Sequence, residues 1–488
     1  MYRPSFEEAR RIAESAEYRV LPLSTEIYAD TTTPIEALRK LKNVSRHCFI
    51  LESAEDTKNW GRYTFLGFNP TMEVTCLNGV MSIKSDVTES FKTDNPNIYI
   101  QDILDRYKSV KFDWLPPFTG GLVGYFAYDY AKYSEPALKL EAYDSERFND
   151  VDLMLFDKVI AFDNYRQKIV LITNINTENI EAEYEKGKSQ LEYLKNLIKN
   201  GQPEKTAAAC VKSKFKALFT KDEYCEMVNR AKYHIKEGDI FQVVLSNRFE
   251  ADFEGSIFDT YRVLRTINPS PYMFYFSGSN LEIAGASPET LVKLRDGKLF
   301  TFPLAGTRPR GASDYEDTTL EKELLADEKE LAEHNMLVDL GRNDLGKISK
   351  FGTITVEKYM SILRFSHVMH IGSTVSGEIL EGKTGLDAIN AILPAGTLSG
   401  APKIRAMQII NEQEQNKRGI YGGAIGYLDF TGNMDTCIAI RIVYRRNDKV
   451  FIRSGAGIVA DSNPESEYME CVNKSAAVMN ALEQSVGL

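Results

Sequence analysis

Asp296-Gly297 and Asn447-Asp448 each stand between two apolar runs, and both dipeptides tolerate the positive φ that a tight hairpin turn demands. A two-residue turn returns the backbone beside itself, so strands joined in this way pair antiparallel. The regular alternation of strand and helix that builds a parallel sheet is missing from the chain. The expected class is therefore α+β with largely antiparallel sheets. Short β-rich runs, such as Gly121 to Tyr128, alternate with turn signals from about Tyr18 to Lys168, and the charged stretch Glu178 to Lys199 has helical character. Thr220-Lys-Asp-Glu223 has the spacing of a capping box and opens a helix that Gly238 closes. A strand follows from Asp239 to Phe249, with Gln242, Val244 and Ser246 on one face and Val243 and Leu245 on the other. Asp461-Ser462-Asn463 offers caps for a last helix, whose first turn suits Pro464, Glu465 and Glu467.

With 488 residues the chain is long enough for two domains or one large intertwined one. Asn200-Gly-Gln-Pro-Glu-Lys205 is the best linker, dividing residues 1–205 from 206–488. A formal charge of −10 argues against a nucleic-acid partner, which needs a basic field to displace counterions. The first eight residues are too charged for a signal peptide, and no apolar run approaches the length that spans a bilayer, so membrane insertion and export are not expected. Six cysteines without a C-x-x-C pair suggest neither a zinc site nor a disulfide framework, which fits a reducing cytoplasm.

Two helical stretches carry glutamates three apart, Glu330 with Glu333 and Glu467 with Glu470, so each pair projects from one helix face. If the two faces meet, four carboxylates converge and need a cation, and an all-oxygen set selects Mg²⁺ over zinc. The same spacing also suits a solvated helix face. Glycine-rich segments supply a second ingredient: Pro303-Leu-Ala-Gly-Thr307, Pro394-Ala-Gly-Thr-Leu-Ser-Gly-Ala-Pro402 and Ser454-Gly-Ala-Gly457 can bring backbone N–H groups close to an anion, or can be ordinary turns. Of the five histidines, His47 and His234 read as packing residues, while His367 and His370 flank Val-Met in a segment too short to classify.

Glu333-His-Asn-Met-Leu-Val-Asp-Leu-Gly-Arg-Asn-Asp-Leu345, Pro394 to Lys403, Tyr421-Gly-Gly-Ala-Ile-Gly-Tyr427 and Gly455-Ala-Gly-Ile-Val-Ala-Asp461 together resemble the chorismate-utilising enzymes. Leu51-Glu-Ser53 and Gly61 to Gly67 extend the likeness to the amino-terminal part of the anthranilate synthase component I family. The resemblance implies large mixed, mostly antiparallel sheets forming a layered core with helices outside. By that likeness residues 1–205 carry part of a tryptophan regulatory site, and residues 206–488, intertwined with them, carry the chorismate-binding catalytic region. Family members that activate water carry a lysine where this strand has Gln242, and a neutral amide is no general base, so ammonia is the expected nucleophile. Aminodeoxychorismate synthase typically has a nucleophilic lysine where this chain has Ala305. Phe302, Thr64 and Cys471 replace a common arginine, serine and threonine of the family.

The resemblance further implies a lyase that aminates chorismate and releases pyruvate. Mg²⁺ would be held by Glu333 and Glu470, with Glu330 and Glu467 nearby, and would bind the ring carboxylate. Tyr421 and Arg441 would hold the enolpyruvyl carboxylate, with backbone donors at Gly306, Thr307, Gly455, Ala456 and Gly457. Glu289 is the family's candidate acid, and His370 is a base or its orienting partner with Thr397 in the same pocket. Ser53, Pro271, Tyr272 and Met273 would contact tryptophan as feedback inhibitor. No cysteine sits in a Gly-x-Cys-x-Gly elbow, so a separate glutamine amidotransferase subunit is the expected ammonia source. Two rivals remain: an aminodeoxychorismate synthase component I that stops at the amino intermediate, and a catalytically silent subunit that senses tryptophan or chorismate.

Overall fold

A computed structural model describes residues 1–54, 60–205, 208–364 and 368–487; His367 lies outside the described residues. Both turn dipeptides are where the hairpin reading puts them. Asp296 (φ 54°) and Gly297 (φ 78°) join strands Thr290–Arg295 and Lys298–Thr301, and Asn447 (φ 51°) and Asp448 (φ 56°) join Ile442–Arg446 and Lys449–Ile458. Positive φ at both central positions matches the right-handed twist of the flanking strands.

Among the described residues the strands form one 14-stranded and one 12-stranded sheet, and every ladder between them is antiparallel. The sheets pack face to face around an aromatic core that draws Phe49, Phe65, Phe274 and Phe451 from the larger sheet and Tyr125 and Tyr427 from the smaller. Helices cover the outer faces. Ile180–Asn200, Phe258–Ile267 and Pro464–Ser485 pack on the larger sheet, and Pro96–Arg106, Glu328–Gly346 and Gly385–Ile392 on the smaller. The result is helix, sheet, sheet, helix, the layered α+β core that was expected.

The alternation of side chains explains why many strands read as unbroken apolar runs. In Cys48–Glu52, Phe49 enters the inter-sheet core while Cys48 and Ile50 face the helices, so both faces are buried. Strand Gln242–Glu254 follows the same rule. Its Val243 and Leu245 pack under helix Lys221–Lys236, which Thr220 opens with a complete capping box.

Each sheet is assembled from two blocks of chain. In the larger one, strands before residue 177 form one side and strands after residue 209 the other, and they meet where Cys48–Glu52 pairs with Tyr272–Ser277. In the smaller one the seam is Gly121–Phe126 against Ala424–Asp429. Among the described residues no helix is long and apolar enough to cross a membrane.

Candidate active site

The two glutamate pairs lie on helices, as their spacing requires. Glu330 and Glu333 are on Glu328–Gly346, capped by Asp327, whose side chain accepts from the Lys329 and Glu330 amides. Glu467 and Glu470 are on Pro464–Ser485, capped by Asn463. The pairs are within electrostatic reach of each other. Burial raises the Glu333 carboxyl above its ordinary range, and the charges of Glu330 on its own helix and Glu470 on the other raise it further. Glu467 is likewise raised by burial and by Glu470. Two cations temper this acidic patch: Lys474 Nζ is 2.6 Å from Glu470 Oε1, and Arg308 is 3.5 Å from Glu330 and 2.8 Å from Asp327.

Among the described residues no three acid, histidine or cysteine side chains close into a cage for a metal on their own. The donor set still suits Mg²⁺, which commonly takes one or two carboxylates and completes its shell with water and substrate oxygens. Arg441 and Glu470 share the wall of one cavity of ≈ 810 Å³, together with Lys474 and Asn473. Glu470 of the acid patch and a guanidinium able to hold a carboxylate thus face one open space.

Glycines of the glycine-rich segments approach Glu330, Tyr421 and Gln242. A β-carbon on Gly306 (φ 65°) would stand 3.2 Å from Glu330 Oε2, so only glycine lets this backbone lie against the acid patch. Gly455, Ala456 and Gly457 lie on Lys449–Ile458, paired with Ser246, Leu245 and Val244 of Gln242–Glu254. A β-carbon on Gly455 would be 2.9 Å from the Tyr421 hydroxyl, and one on Gly457 would be 2.9 Å from Gln242 Nε2. Tyr421 and Gln242 therefore reach over the two glycines from neighbouring elements. Burial keeps the Tyr421 hydroxyl protonated, its pKa raised further above the ordinary phenol.

Glu289 follows strand Glu282–Ser287 and is half-buried. Loss of hydration pushes its carboxyl up to about 7, against the hydroxyl of Thr397, which donates to Oε1 at 2.9 Å, and the charges of Lys474 and Arg441, which pull it down. Glu289 and Thr397 line a small cavity with Asp344 and Phe302. Arg441 has a left-handed backbone (φ 51°), a conformation that costs a non-glycine residue energy and is found where surrounding structure dictates it. Burial lowers its guanidinium pKa, and Glu289 raises it. His370, on Val368–Glu378, is lowered by burial and by the Arg441 charge, against a raising contact from the Gly306 carbonyl. With Nδ1–H donating to that carbonyl at 2.9 Å, the lone pair of the neutral ring is left on Nε2. Thr307 Oγ1 is 3.1 Å from the same Nδ1.

Close approaches therefore link Glu289 to Thr397, His370 to Gly306 and Thr307, Gly455 to Tyr421, Gly457 to Gln242, and Gly306 to Glu330. Ser53, Pro271, Tyr272 and Met273 lie elsewhere and line a separate cavity of ≈ 500 Å³. Met273 packs its side chain in the outer core, so by strand alternation it offers that cavity main chain. The Tyr272 hydroxyl bonds Thr290 Oγ1 and Asp435 Oδ1, both at 2.8 Å, and Asp435 also pairs with Lys293 at 2.6 Å. Thr290 is the neighbour of Glu289, and Phe302 lines both this cavity and that of Glu289. His47 and His234 are satisfied locally, by Ser279 and Asp239.

Sequence reasoning missed Lys474, whose signal was its position four residues after Glu470 on one helix. It also missed Glu414, Arg418 and Arg453, charged residues buried together below the Thr397 loop. Glu414 and Arg418 stand four apart, but nothing local marks their burial with Arg453, which comes only when helix, following segment and strand pack.

A family model described as "chorismate binding enzyme" matches residues 46–480. The chain is 44% identical to anthranilate synthase component 1 of Acetivibrio thermocellus, over 99% of both chains. It is also 44% identical to that of Aquifex aeolicus, over 98% of this chain and 97% of the relative. Among solved structures, anthranilate synthase component I from Streptococcus pneumoniae superposes with a TM-score of 0.75 at 38% identity, covering 86% of this chain and 92% of that one. The Escherichia coli isochorismate synthase MenF shares the fold, with a TM-score of 0.70 at 19% identity and 98% of each chain covered.

Proposed function

Since the chain belongs to the anthranilate synthase component 1 family of chorismate binding enzymes, we propose that it converts chorismate and ammonia to anthranilate and pyruvate with Mg²⁺ bound. The observation that carries this reading is Glu289, a half-buried carboxyl that accepts from the Thr397 hydroxyl within the field of Arg441, its pKa pushed up to about 7 by loss of hydration. Loss of the 4-hydroxyl from chorismate needs a proton donor. A carboxylic acid that stays protonated near neutrality is such a donor, and desolvation keeps it so.

The remaining residues take roles that their positions support. Bound Mg²⁺ would supply charge neutralisation and a fixed point for the ring carboxylate, held by Glu333 and Glu470 with Glu330 and Glu467 around it. Arg441 and Tyr421 bind the enolpyruvyl carboxylate, the arginine through its planar fork. Backbone donors of Gly306, Thr307, Gly455, Ala456 and Gly457 complete the anion cradle. Gln242 lies over Gly457, where a base that activates water would otherwise stand, so the site is set for a nucleophile that needs no deprotonation. His370, whose pKa burial lowers, takes the ring proton in this reading as the product becomes aromatic.

The amidotransferase subunit supplies ammonia, consistent with the name "component 1" of the relatives. The ≈ 500 Å³ cavity takes tryptophan as inhibitor: it offers aromatic walls from Tyr63, Phe65 and Tyr427 and polar groups from Ser53, Lys293 and Asp435. Incubation with chorismate, Mg²⁺ and ammonium salt should yield fluorescent anthranilate and pyruvate in equal amounts. A non-aromatic amine accumulating without pyruvate would assign the chain to aminodeoxychorismate synthase chemistry instead. Tryptophan binding with no turnover under saturating ammonia would leave it a sensor.

A further inference from the structure

Helix Lys403–Glu414 and the segment after it carry Glu414 and Arg418, and strand Lys449–Ile458 carries Arg453. All three charges are buried: Glu414 and Arg418 are each 2% exposed and Arg453 is 1%. Glu414 is shared between the two arginines, with Oε1 2.5 Å from Arg418 Nη2 and Oε2 2.7 Å from Arg453 Nη2. Such a cluster is a poor device for stability, because desolvating three charges costs about as much as their attraction returns, and packed apolar groups often do as well. Its hydrogen bonds point instead to what it holds.

Arg418 is a staple between two elements of the site. Nη1 donates to the carbonyl of Leu398, the residue after Thr397, and Nη2 donates to the carbonyl of Val244, two residues after Gln242, both at 2.6 Å. The same loop and strand are joined by the Val244 amide to Ser399 O at 2.9 Å and by a two-residue ladder, Gln242 with Ala401 and Val243 with Gly400. Glu414 accepts from the Ser246 amide and hydroxyl at 2.8 and 2.9 Å, and Arg453 donates to Ser246 Oγ and to the Lys417 carbonyl. The Arg418 guanidinium also lies 5.9 Å from the Tyr421 ring centroid.

We propose that Arg418, clamped by Glu414 and Arg453, is a positioning residue that fixes the Thr397 loop on strand Gln242–Glu254 and so aims the Thr397 hydroxyl at Glu289. Arg418 touches neither substrate nor reacting atoms; it acts through Leu398 and Thr397. The inference rests on the reading of Glu289 as the acid. A lysine in its place keeps the charge and loses the fork, because one ammonium cannot reach both carbonyls and the carboxylate in the same geometry.

The decisive measurement is the pH profile of anthranilate formation for Arg418→Lys, Thr397→Val and the double variant, with kcat and KM for chorismate determined separately. Thr397 donates to the carboxylate form of Glu289, so its loss leaves the acid protonated to higher pH. The other charged groups around Glu289 are unchanged in these variants: Lys474 on helix Pro464–Ser485, Arg441 between Met434–Ile438 and Ile442–Arg446, and Asp344 on Glu328–Gly346. Each single variant should move the alkaline limb upward and lower kcat by about 10- to 100-fold with little change in KM. The double variant should look like either single one. Should Arg418→Lys fail to fold, Glu414→Gln keeps the volume and loosens the same fork, and it should move the limb in the same direction. A wild-type profile in a folded Arg418 or Glu414 variant, additive effects in the double variant, or failure of both variants to fold would overturn the inference. If the wild-type chain forms no anthranilate, the functional reading fails first and takes the inference with it; turnover with an unmoved profile sinks the inference alone.

Discussion

Glu289 turns burial into chemistry, and the sign of its pH dependence follows from that. Its carboxyl is raised in the fold from an ordinary value of 4.5 to about 7, so the charged form is the one the folded state disfavours. The proton donor is present below pH 7 and lost above it, and kcat/KM should fall about tenfold per pH unit on the alkaline side. Folding linkage has the same sign: stability from this residue is fully present below pH 4.5 and declines as pH rises through 7. Glu289→Gln should therefore lower activity by roughly 10²- to 10⁴-fold. The same change should leave thermal stability near pH 4 unaltered and raise it above pH 8, by roughly 2–4 kcal/mol. A Gln variant with wild-type turnover would remove Glu289 from the acid role. None of this could be read from Ala286-Ser-Pro-Glu289 by itself, because loss of hydration creates the property and the hydroxyl of Thr397, 108 residues away, tempers it.

At the scale of elements, the acid patch exists because two helices bring their i,i+3 faces within electrostatic reach of each other. Glu333→Gln or Glu470→Gln should abolish most activity and increase the Mg²⁺ needed for half-maximal rate. Thermal unfolding should be unchanged or slightly later, because one of several facing like charges is gone. Wild-type rates at limiting Mg²⁺ in both variants would separate these residues from the metal. The elements themselves were unevenly legible. The hairpin turns, the capping box at Thr220 and the Pro464 helix were written locally, in residues whose φ or cap chemistry has few alternatives. Two helices, Pro34–Val44 and Pro96–Arg106, lie in a stretch that reads as strands. Their prolines at the first turn were usable signals, and Thr33 does cap the first one, but short helices between strands have too little periodicity to stand out. The glutamate pairs were visible as helix faces, whereas their mutual approach depends on the packing of helices more than a hundred residues apart.

Across the whole molecule, the ≈ 500 Å³ cavity lies at a seam. Its walls include Leu51 to Ser53 and Tyr63 from the first block of chain and Pro271 to Phe274 and Asp435 from the second, so an occupant touches both. Tryptophan should therefore stabilise the whole cooperative unit by RT ln(1 + [L]/Kd), about 2.7 kcal/mol at a hundredfold excess over Kd, and so raise its melting temperature. Ser53→Leu should abolish that rise and relieve inhibition while leaving the uninhibited rate within about twofold. Unchanged sensitivity in the variant would move the inhibitor elsewhere. The cavity lies a short path of contacts from Glu289: Tyr272 bonds Thr290, which adjoins it. Antiparallel pairing was foreseeable from the hairpin turns, and the layered core from the family resemblance. The seams were not, since strand neighbours more than 200 residues apart leave no mark in either segment.

Vectorial synthesis meets those seams in an awkward order. When residue 205 emerges from the ribosome, Cys48–Glu52 and Gly121–Phe126 have no outer neighbours, and the strands that will cover them, Tyr272–Ser277 and Ala424–Asp429, are still untranslated. At about 5–20 residues per second, the second edge waits on the order of 10–45 s. Both segments are apolar and uncharged through most of their length, the profile of a sticky template. A truncated transcript ending near residue 205 should yield insoluble protein, and slower elongation beyond that point should increase dependence on chaperones that shield nascent β-edges.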